Sequence, residues 1–164
     1  MRVYLPSTLR ELRDLLDTGT LGSPPLPAYA VTPQLREWYA ESDDTEELEY
    51  AALSLAARAS VRLLDADQEA PRRRVVVVAD VEGVEPVPKV DRAAVRVLDE
   101  VPLRLVKAVH VDAEDAEDDV AAAADAVVEA DLGGEDAAFR VERAEGHELL
   151  WYATQEIGPL LELG

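Results

Sequence analysis

The chain has 164 residues, of which 48% are hydrophobic and 31% are charged, and its formal net charge is −19. A chain of this length is expected to form one domain, residues 1–164, with its own core. The absence of cysteine excludes disulfides, thiolate metal sites and cysteine nucleophiles. The acidity disfavours nucleic acid and anionic membranes as partners, and no apolar run approaches the ~20 residues of a membrane span. Because the first residues also lack a signal-peptide pattern, we expect a soluble cytoplasmic protein.

The chain opens with a predicted strand over residues 2–5, followed by a helix. Thr8 and Glu11 have the spacing of a capping box at the start of this helix, and Gly19 is a typical stop. The proline-rich segment 21–27 is predicted to be a surface loop.

A second short strand, "AYAVT", leads into a second helix. Thr32 can cap this helix, because Pro33 then occupies the favoured first helical position.

The next helix is long and rich in alanine, and it is predicted to run from about residue 44 to residue 65. It follows an acidic segment, 41–49, whose carboxylates favour the positive end of the helix dipole. Ser42, Asp44 and Thr45 are candidate caps. Small apolar residues on nearly every side indicate a central, buried helix.

Strands dominate the middle of the chain. The β-branched run Val75–Val78 is typical of a strand buried on both faces, and Arg72–Arg74 before it is expected to mark the strand's solvated end. Two further strands are predicted over 94–98 and 103–111. Alternation in strand 103–111 divides its side chains between two faces of the sheet. One face carries Leu103, Leu105, Lys107, Val109 and Val111, and the other carries Arg104, Val106, Ala108 and His110.

The last third begins with a helix from about residue 113 to a stop at Gly133–Gly134. Its inward side chains are predicted to be Val120, Ala124, Val127 and Val128. Segment 135–146 is ambiguous between a strand and irregular structure. Residues 147–154 are predicted to form the last strand, before a short terminal helix interrupted at Gly158–Pro159. Trp151–Tyr152 and Trp38–Tyr39 are expected to pack in the core.

Together these elements predict an α/β or α+β fold. We expect a single-domain layered sandwich with a mixed sheet of five to six strands and four to five helices.

Several predicted strands end in a residue that can cap a helix. If such strands were parallel and adjacent, the helix N-termini would meet at one sheet edge and could bind an anion. Thr8, Thr32 and Thr154 would then line a ligand pocket. No glycine-rich phosphate loop accompanies them, so ordinary capping remains the simpler interpretation.

The two histidines raise the question of a metal site. His110 and Asp112 lie two residues apart on a strand, and with His147 they could form a His/His/carboxylate set. The sequence contains neither HExxH nor HxH, so we predict no cofactor and keep the metal site as an alternative. No GxSxG turn or other catalytic motif is present, which favours a non-catalytic protein over a small enzyme or ligand-binding domain.

Acidity persists along the helix that follows residue 112, since no Lys or Arg occurs between Lys107 and Arg140. Like charges three or four residues apart destabilise a helix, so capping alone does not explain them. We therefore predict a regulatory or interaction protein that presents an acidic helical face to a basic protein partner, with a homodimer as an open alternative. The predicted surface consists of Glu114, Asp115, Glu117, Asp118 and Asp119.

The segments "MRVYLPSTL", "AYAVTPQLREWYAE", "ELEYAALSLAARASVRLL", "RRVVVVADV", "AVHVD" and "HELLWYATQEI" resemble those of an uncharacterised family of small acidic actinobacterial proteins. The resemblance covers nearly the whole chain. It implies a single domain of cytoplasmic bacterial origin, and no catalytic residues, substrate or cofactor.

Overall fold

The computed structural model describes residues 1–39 and 44–163. Nine strands lie in this part of the chain: β1 (Arg2–Ser7), β2 (Thr20–Leu21), β3 (Leu26–Tyr29), β4 (Val75–Asp80), β5 (Val84–Pro86), β6 (Ala94–Val97), β7 (Val101–Pro102), β8 (Val106–Val111) and β9 (Leu150–Ala153). It also contains six α-helices: α1 (Leu9–Thr18), α2 (Pro33–Trp38), α3 (Thr45–Ala66), α4 (Glu117–Asp131), α5 (Glu135–Glu145) and α6 (Ile157–Leu163). The candidate cap Ser42 and the neighbouring acids Glu41 and Asp43 lie outside the described residues.

Seven strands form one sheet in the order β5-β6-β3-β1-β4-β8-β9, while β2 and β7 form a separate two-stranded ribbon. Every strand pair in the described residues is antiparallel, so the prediction of a mixed sheet with five to six strands is wrong. The six α-helices also exceed the four to five that were expected. The additional strands are short: β2 and β7 have two residues each and β5 has three. Such short strands leave no periodic signal in a sequence. The fold class is α+β.

Helices cover both faces of the sheet. On the α1 face, α1 and α6 pack over strand residues that include Val75 and Val77. On the α3 face, alanines of α3 pack against Val76 and Val78. The prediction that this run is buried on both faces is confirmed, since each of the four side chains is at most 5% exposed. Burying a valine contributes up to about 1.5–3 kcal/mol relative to exposure, so β4 is central to the stability of the sheet.

The predicted caps of the first two helices are confirmed. The Thr8 hydroxyl accepts a hydrogen bond from the Glu11 N–H at 3.2 Å, and Gly19 ends α1 with a φ of 83°. The Thr32 hydroxyl accepts one from the Leu35 N–H at 3.1 Å, and Pro33 is the first residue of α2. Loss of such a cap costs about 0.5–2 kcal/mol.

Helix α3 matches its predicted bounds to within one residue. Asp44 is its cap and accepts the Glu46 N–H at 3.0 Å. The fully buried Ser60 fixes the helix on the sheet, because its hydroxyl donates to the Ser7 carbonyl at 2.7 Å and accepts the Val75 N–H at 3.0 Å. A serine within an alanine-rich stretch gives no indication of these contacts beforehand.

Two local predictions need correction. Segment 135–146, predicted to be a strand or irregular structure, is mainly helix α5, which packs Val141 and Ala144 against α4 and α3 and also buries Ala137. Val128 on α4 is 56% exposed and does not face inward.

The predicted strand 103–111 is also shorter than expected. Residues 103–105 form a 3-10 turn, and the register shifts between Val78 and Ala79 of the neighbouring strand. This irregularity moves Val106 to the α1 face, together with Val109, while Ala108 stays on the α3 face.

None of the helices in residues 1–39 and 44–163 combines the length and apolar character that a membrane crossing requires.

Candidate functional site

A buried ion pair lies where β4 begins and β8 ends. The Arg74 guanidinium donates to both carboxylate oxygens of Asp112, at 2.8 and 2.7 Å, and the Arg74 backbone N–H donates to the same carboxylate at 2.8 Å. The two side chains are 4% and 0% exposed. Arg73 donates to the Asp112 carbonyl at 2.9 Å, so these arginines do not form a solvated strand end as predicted. Asp112 is thereby held by arginines and does not cap α4.

The same arginine organises the segment before β9. Arg74 donates to the carbonyl oxygen of His147 at 2.9 Å. The His147 ring contacts an Asp119 carboxylate oxygen of α4 at 2.8 Å, and Arg143 of α5 lies 3.4 Å from the other oxygen. The hydrogen bond with His147, assisted by the charge of Arg143, lowers the pKa of Asp119 below its ordinary value. The start of α4, the end of α5 and the approach to β9 are therefore tied together.

A groove on the α3 face runs between α3 and strands β8 and β9. It comprises two adjoining clefts of about 300 and about 460 Å³. Both clefts are lined by Tyr50 and Leu53 of α3 and by His110 and Trp151 of the sheet. Trp151 is 60% exposed, so it does not pack in the core as predicted. We call this feature the α3 groove.

The structure brings both histidines to the α3 groove, since His147 also lines its smaller cleft. Burial lowers the pKa of His110, because the charged imidazolium is disfavoured away from water. No hydroxyl of the described residues hydrogen-bonds to either imidazole ring. The α3 groove therefore combines aromatic side chains with two imidazole rings.

The proposed metal ligands are otherwise engaged. Asp112 is bound to Arg74, and His147 is bound to Asp119. Within the described part of the chain, no group of three or more His, Asp or Glu side chains is arranged to hold a metal ion.

The predicted pocket threonines do not come together. In the antiparallel sheet β1 and β3 run in opposite directions, as do β1 and β9. Thr8 therefore follows β1 at one end of the sheet, whereas Thr32 and Thr154 follow strands that end at the other. Thr154 donates to the Val106 carbonyl at 2.8 Å and Thr32 donates to the Arg92 carbonyl, so both hydroxyls are used within the fold.

The acids after β8 divide into two groups. Asp119 is half-buried and paired, as described above. The other four, which we call the acidic turn, are exposed and have no ion-pair partner among the described residues: Glu114, Asp115, Glu117 and Asp118. Residues 114–116 form a 3-10 turn that leads into α4.

A further cleft lies beside the acidic turn on the α1 face. It has a volume of about 620 Å³ and is lined by Glu114, by Leu150 and Tyr152 of β9, and by Leu160 of α6. Strand β9 thus has a cleft on each of its two faces. Sequence reasoning did not find this pairing of clefts, because it depends on β9 being the last strand of the sheet.

The fold and its surfaces define an α+β protein with a seven-stranded antiparallel sheet, an acidic turn and clefts on both sides of an edge strand. Over residues 1–161 the chain matches a family of unknown function, DUF6912, and it belongs to that family. No curated protein and no solved structure matches the chain.

Proposed function

We propose that this protein is a non-catalytic interaction protein whose acidic turn binds a basic protein partner. The observation that carries the proposal is the exposure of Glu114, Asp115, Glu117 and Asp118 without any ion-pair partner among the described residues. Four acids within five positions repel one another, and an internal role such as capping does not require all of them.

The neighbouring cations support this proposal because they are used elsewhere. Arg143 faces Asp119 at 3.4 Å, and Arg73, which lines a cleft together with Glu114, donates to the Asp112 carbonyl. The acidic turn therefore keeps its negative potential, which would attract a basic surface and orient it during encounter.

The test compares two charge-neutralised variants. Glu114→Gln, Asp115→Asn and Asp118→Asn remove three charges from the acidic turn. The matched control Asp14→Asn, Asp17→Asn and Glu162→Gln removes three exposed charges from α1 and α6. We expect the first variant to weaken binding of a labelled oligo-arginine peptide by about tenfold in ~50 mM salt, since each nearby charge contributes on the order of 0.5–1 kcal/mol. Fluorescence anisotropy measures this.

The control should retain most of the affinity, and added salt should weaken wild-type binding strongly. Equal losses in the two variants would show only a response to net charge and would contradict the proposal.

A second candidate function is binding of a small aromatic or cationic molecule in the α3 groove. The observation that favours it is the shared lining of Tyr50, His110 and Trp151, which combines aromatic surfaces with a partly buried imidazole. A thermal-shift screen of aromatic amines, with Zn²⁺ and Mn²⁺ added as the metal alternative, tests it: a stabilising compound should lose its effect in Tyr50→Ala. The absence of any stabilisation would count against this function.

A further inference from the structure

Strand β9 leaves one edge of the sheet open. It pairs with β8 on one side and has no strand partner on the other among the described residues. Leu150 is 45% exposed and Trp151 60% exposed, and the strand contains neither proline nor lysine. An apolar edge of this kind is a template for pairing with another chain.

The hydrogen-bond pattern shows which groups of β9 face outward. The Asp112 N–H donates to the Arg74 carbonyl at 3.1 Å, toward β4. Because the direction of the backbone hydrogen bonds alternates along an antiparallel strand, the N–H and C=O groups of Val111 and Val109 must point toward β9. Their partners across the ladder are Leu150 and Tyr152.

The backbone N–H and C=O groups of Trp151 and Ala153 therefore point away from β8. The Ala153 N–H agrees with this assignment, since it donates to the Glu156 carboxylate at 2.9 Å and not to a strand. Glu156 thus closes one end of the open edge. The N–H and C=O of Trp151 remain for an added strand.

The clefts on the two faces of β9 match the side-chain pattern of such a strand. Successive side chains of a strand point to opposite faces. One set would lie on the α3 face beside Trp151 and Glu148, in the cleft of about 300 Å³. The other set would lie on the α1 face beside Leu150 and Tyr152, in the cleft of about 620 Å³.

Charge indicates the chemistry of the added strand. Exposed Glu148 lines the α3-face cleft, where the basic side chains would lie. Exposed Glu114 and Glu156 stand beside the apolar lining of the α1-face cleft and add to the negative potential of this edge. The arginines in these clefts, Arg73 and Arg74, are bound to Asp112. A second copy of the chain would bring the same acids and a net charge of −19, whereas a basic segment would be attracted.

We propose that β9 binds an extended segment of a partner protein, with alternating basic and apolar residues, as an eighth strand of the sheet. Main-chain hydrogen bonds to Trp151 supply affinity, and the two clefts select the side chains. A basic residue stacks on the exposed Trp151 ring near Glu148, and apolar residues contact Leu150, Tyr152 and Leu160. This inference rests on the proposed function, because it specifies how a basic partner binds next to the acidic turn.

The test uses a blocked, labelled peptide of about nine residues in which Arg and Val alternate. Trp151→Pro removes the outward N–H and leaves the hydrogen bonds of Leu150 and Tyr152 to β8 in place. The matched variant Trp151→Ala removes the same ring and keeps the N–H. We expect Trp151→Pro to bind at least about tenfold more weakly than Trp151→Ala, with circular dichroism confirming that both variants fold.

A second experiment changes the peptide and leaves the protein unchanged. It tests strand addition even if Trp151→Pro does not fold. N-methylation of alternate peptide bonds keeps the charges and side chains of the peptide and removes the N–H groups along one edge. Two such peptides, one for each edge, are compared with the parent. At least one should lose binding by about tenfold or more, and the parent peptide should slow hydrogen exchange of the Trp151 amide.

The outcomes separate this inference from the proposed function. If both N-methylated peptides bind as tightly as the parent while neutralisation of the acidic turn weakens all three, strand addition is wrong and the acidic surface stands. If neutralisation has no effect, the proposed function fails whatever happens at Trp151. Self-association without peptide, abolished by Trp151→Pro, would identify a second copy as the occupant and overturn the inference.

Discussion

The sheet ends in two edge strands, β5 and β9, and they differ in nearly every property that governs strand pairing. β5 has three residues, ends in Pro86, and carries Glu85, which forms an exposed ion pair with Arg96 at 3.1 Å. Proline, charge and shortness all discourage another chain from adding to an edge. β9 consists of Leu, Trp, Tyr and Ala and contains neither a proline nor a charged residue.

The composition of β5 discourages the addition of another strand, whereas that of β9 permits it. An exposed apolar edge is an aggregation liability, and β5 shows that this fold can accommodate protection. The open edge also lies beside the acidic turn and between two clefts. We therefore interpret β9 as a binding edge and β5 as a closed one, and the following predictions test that contrast.

The largest effect is expected from Asp112→Ala, which leaves the buried Arg74 guanidinium unpaired. Breaking a buried ion pair in this way typically destabilises by about 3–5 kcal/mol. Because Arg74 also holds the His147 carbonyl before β9, amide protection should fall more at β9 than at β5. Urea denaturation measures the free energy of unfolding, and hydrogen exchange measures the protection of each edge.

Asp112→Asn serves as the control for this prediction, since it keeps an oxygen that can accept the Arg74 N–H and should cost less. A loss below about 1 kcal/mol, or equal loss of protection at both edges, would contradict the assigned role.

The next effect comes from removing the protection of β5. Glu85→Val with Pro86→Val restores a backbone N–H and deletes the charge, so β5 should acquire the character of β9. We expect self-association to strengthen by about tenfold, on the order of 1.4 kcal/mol, as measured by sedimentation velocity. The control Glu82→Val, which changes a charge outside the strand, should leave self-association nearly unchanged; an equal increase there would indicate general hydrophobicity.

A smaller effect is expected at the attachment of α4 to α3. The hydrogen bond from Arg62, with help from Arg58, lowers the pKa of Asp131 to about 2. The resulting stabilisation is present above the ordinary pKa of 3.8 and is lost as the pH falls from about 4 toward 2. Linkage sets a limit of about 2.5 kcal/mol, which solvent screening of a carboxylate that is 33% exposed reduces to about 1 kcal/mol.

Asp131→Asn should therefore cost about 1 kcal/mol at pH 7 and progressively less in acid. Chemical denaturation at several pH values checks this. A difference between wild type and variant that stays constant down to about pH 2 would be inconsistent with the ion pairs as its origin.

The smallest effect is expected for the ion pair of β5 itself. Glu85 and Arg96 are 52% and 47% exposed, so the pair contributes only about 0.2–1 kcal/mol. A double-mutant cycle with Glu85→Ala and Arg96→Ala measures this coupling, which should shrink in high salt. A coupling well above this range would mean that the pair stabilises the closed edge instead of only discouraging an added strand.

Local signals predicted the elements whose cause is local. The caps Thr8 and Thr32, Pro33 at a helix start and the doubly buried valine run all appear as predicted. Helix α5 was missed because its buried set, Ala137, Val141 and Ala144, is small and lies among charges. The exposed Phe139 obscured the pattern further by suggesting strand alternation.

The candidate site was less accessible to sequence reasoning because its contacts join distant residues. Asp112 and Arg74 are 38 positions apart, and His147 lies 28 positions from Asp119. The sequence indicates Asp112 only as a possible metal ligand, because its neighbours along the chain are a histidine and other acids. The acids of the turn were identified, but only the fold distinguishes the paired Asp119 from the four that stay exposed.

The acidity, the absence of thiol chemistry, the helix caps and the buried strand can be read from the amino-acid sequence, because composition, hydrogen-bonding side chains and periodicity act over a few residues. Three features required the folded chain: the sheet is antiparallel, Arg74 neutralises Asp112, and β9 is an open edge between two clefts. Strand order is set by the sum of many long-range contacts. A strand is an edge only when no other strand pairs with its second side. The property most relevant to the proposed function, an unpaired apolar strand next to unpaired acids, is therefore a property of the folded sheet.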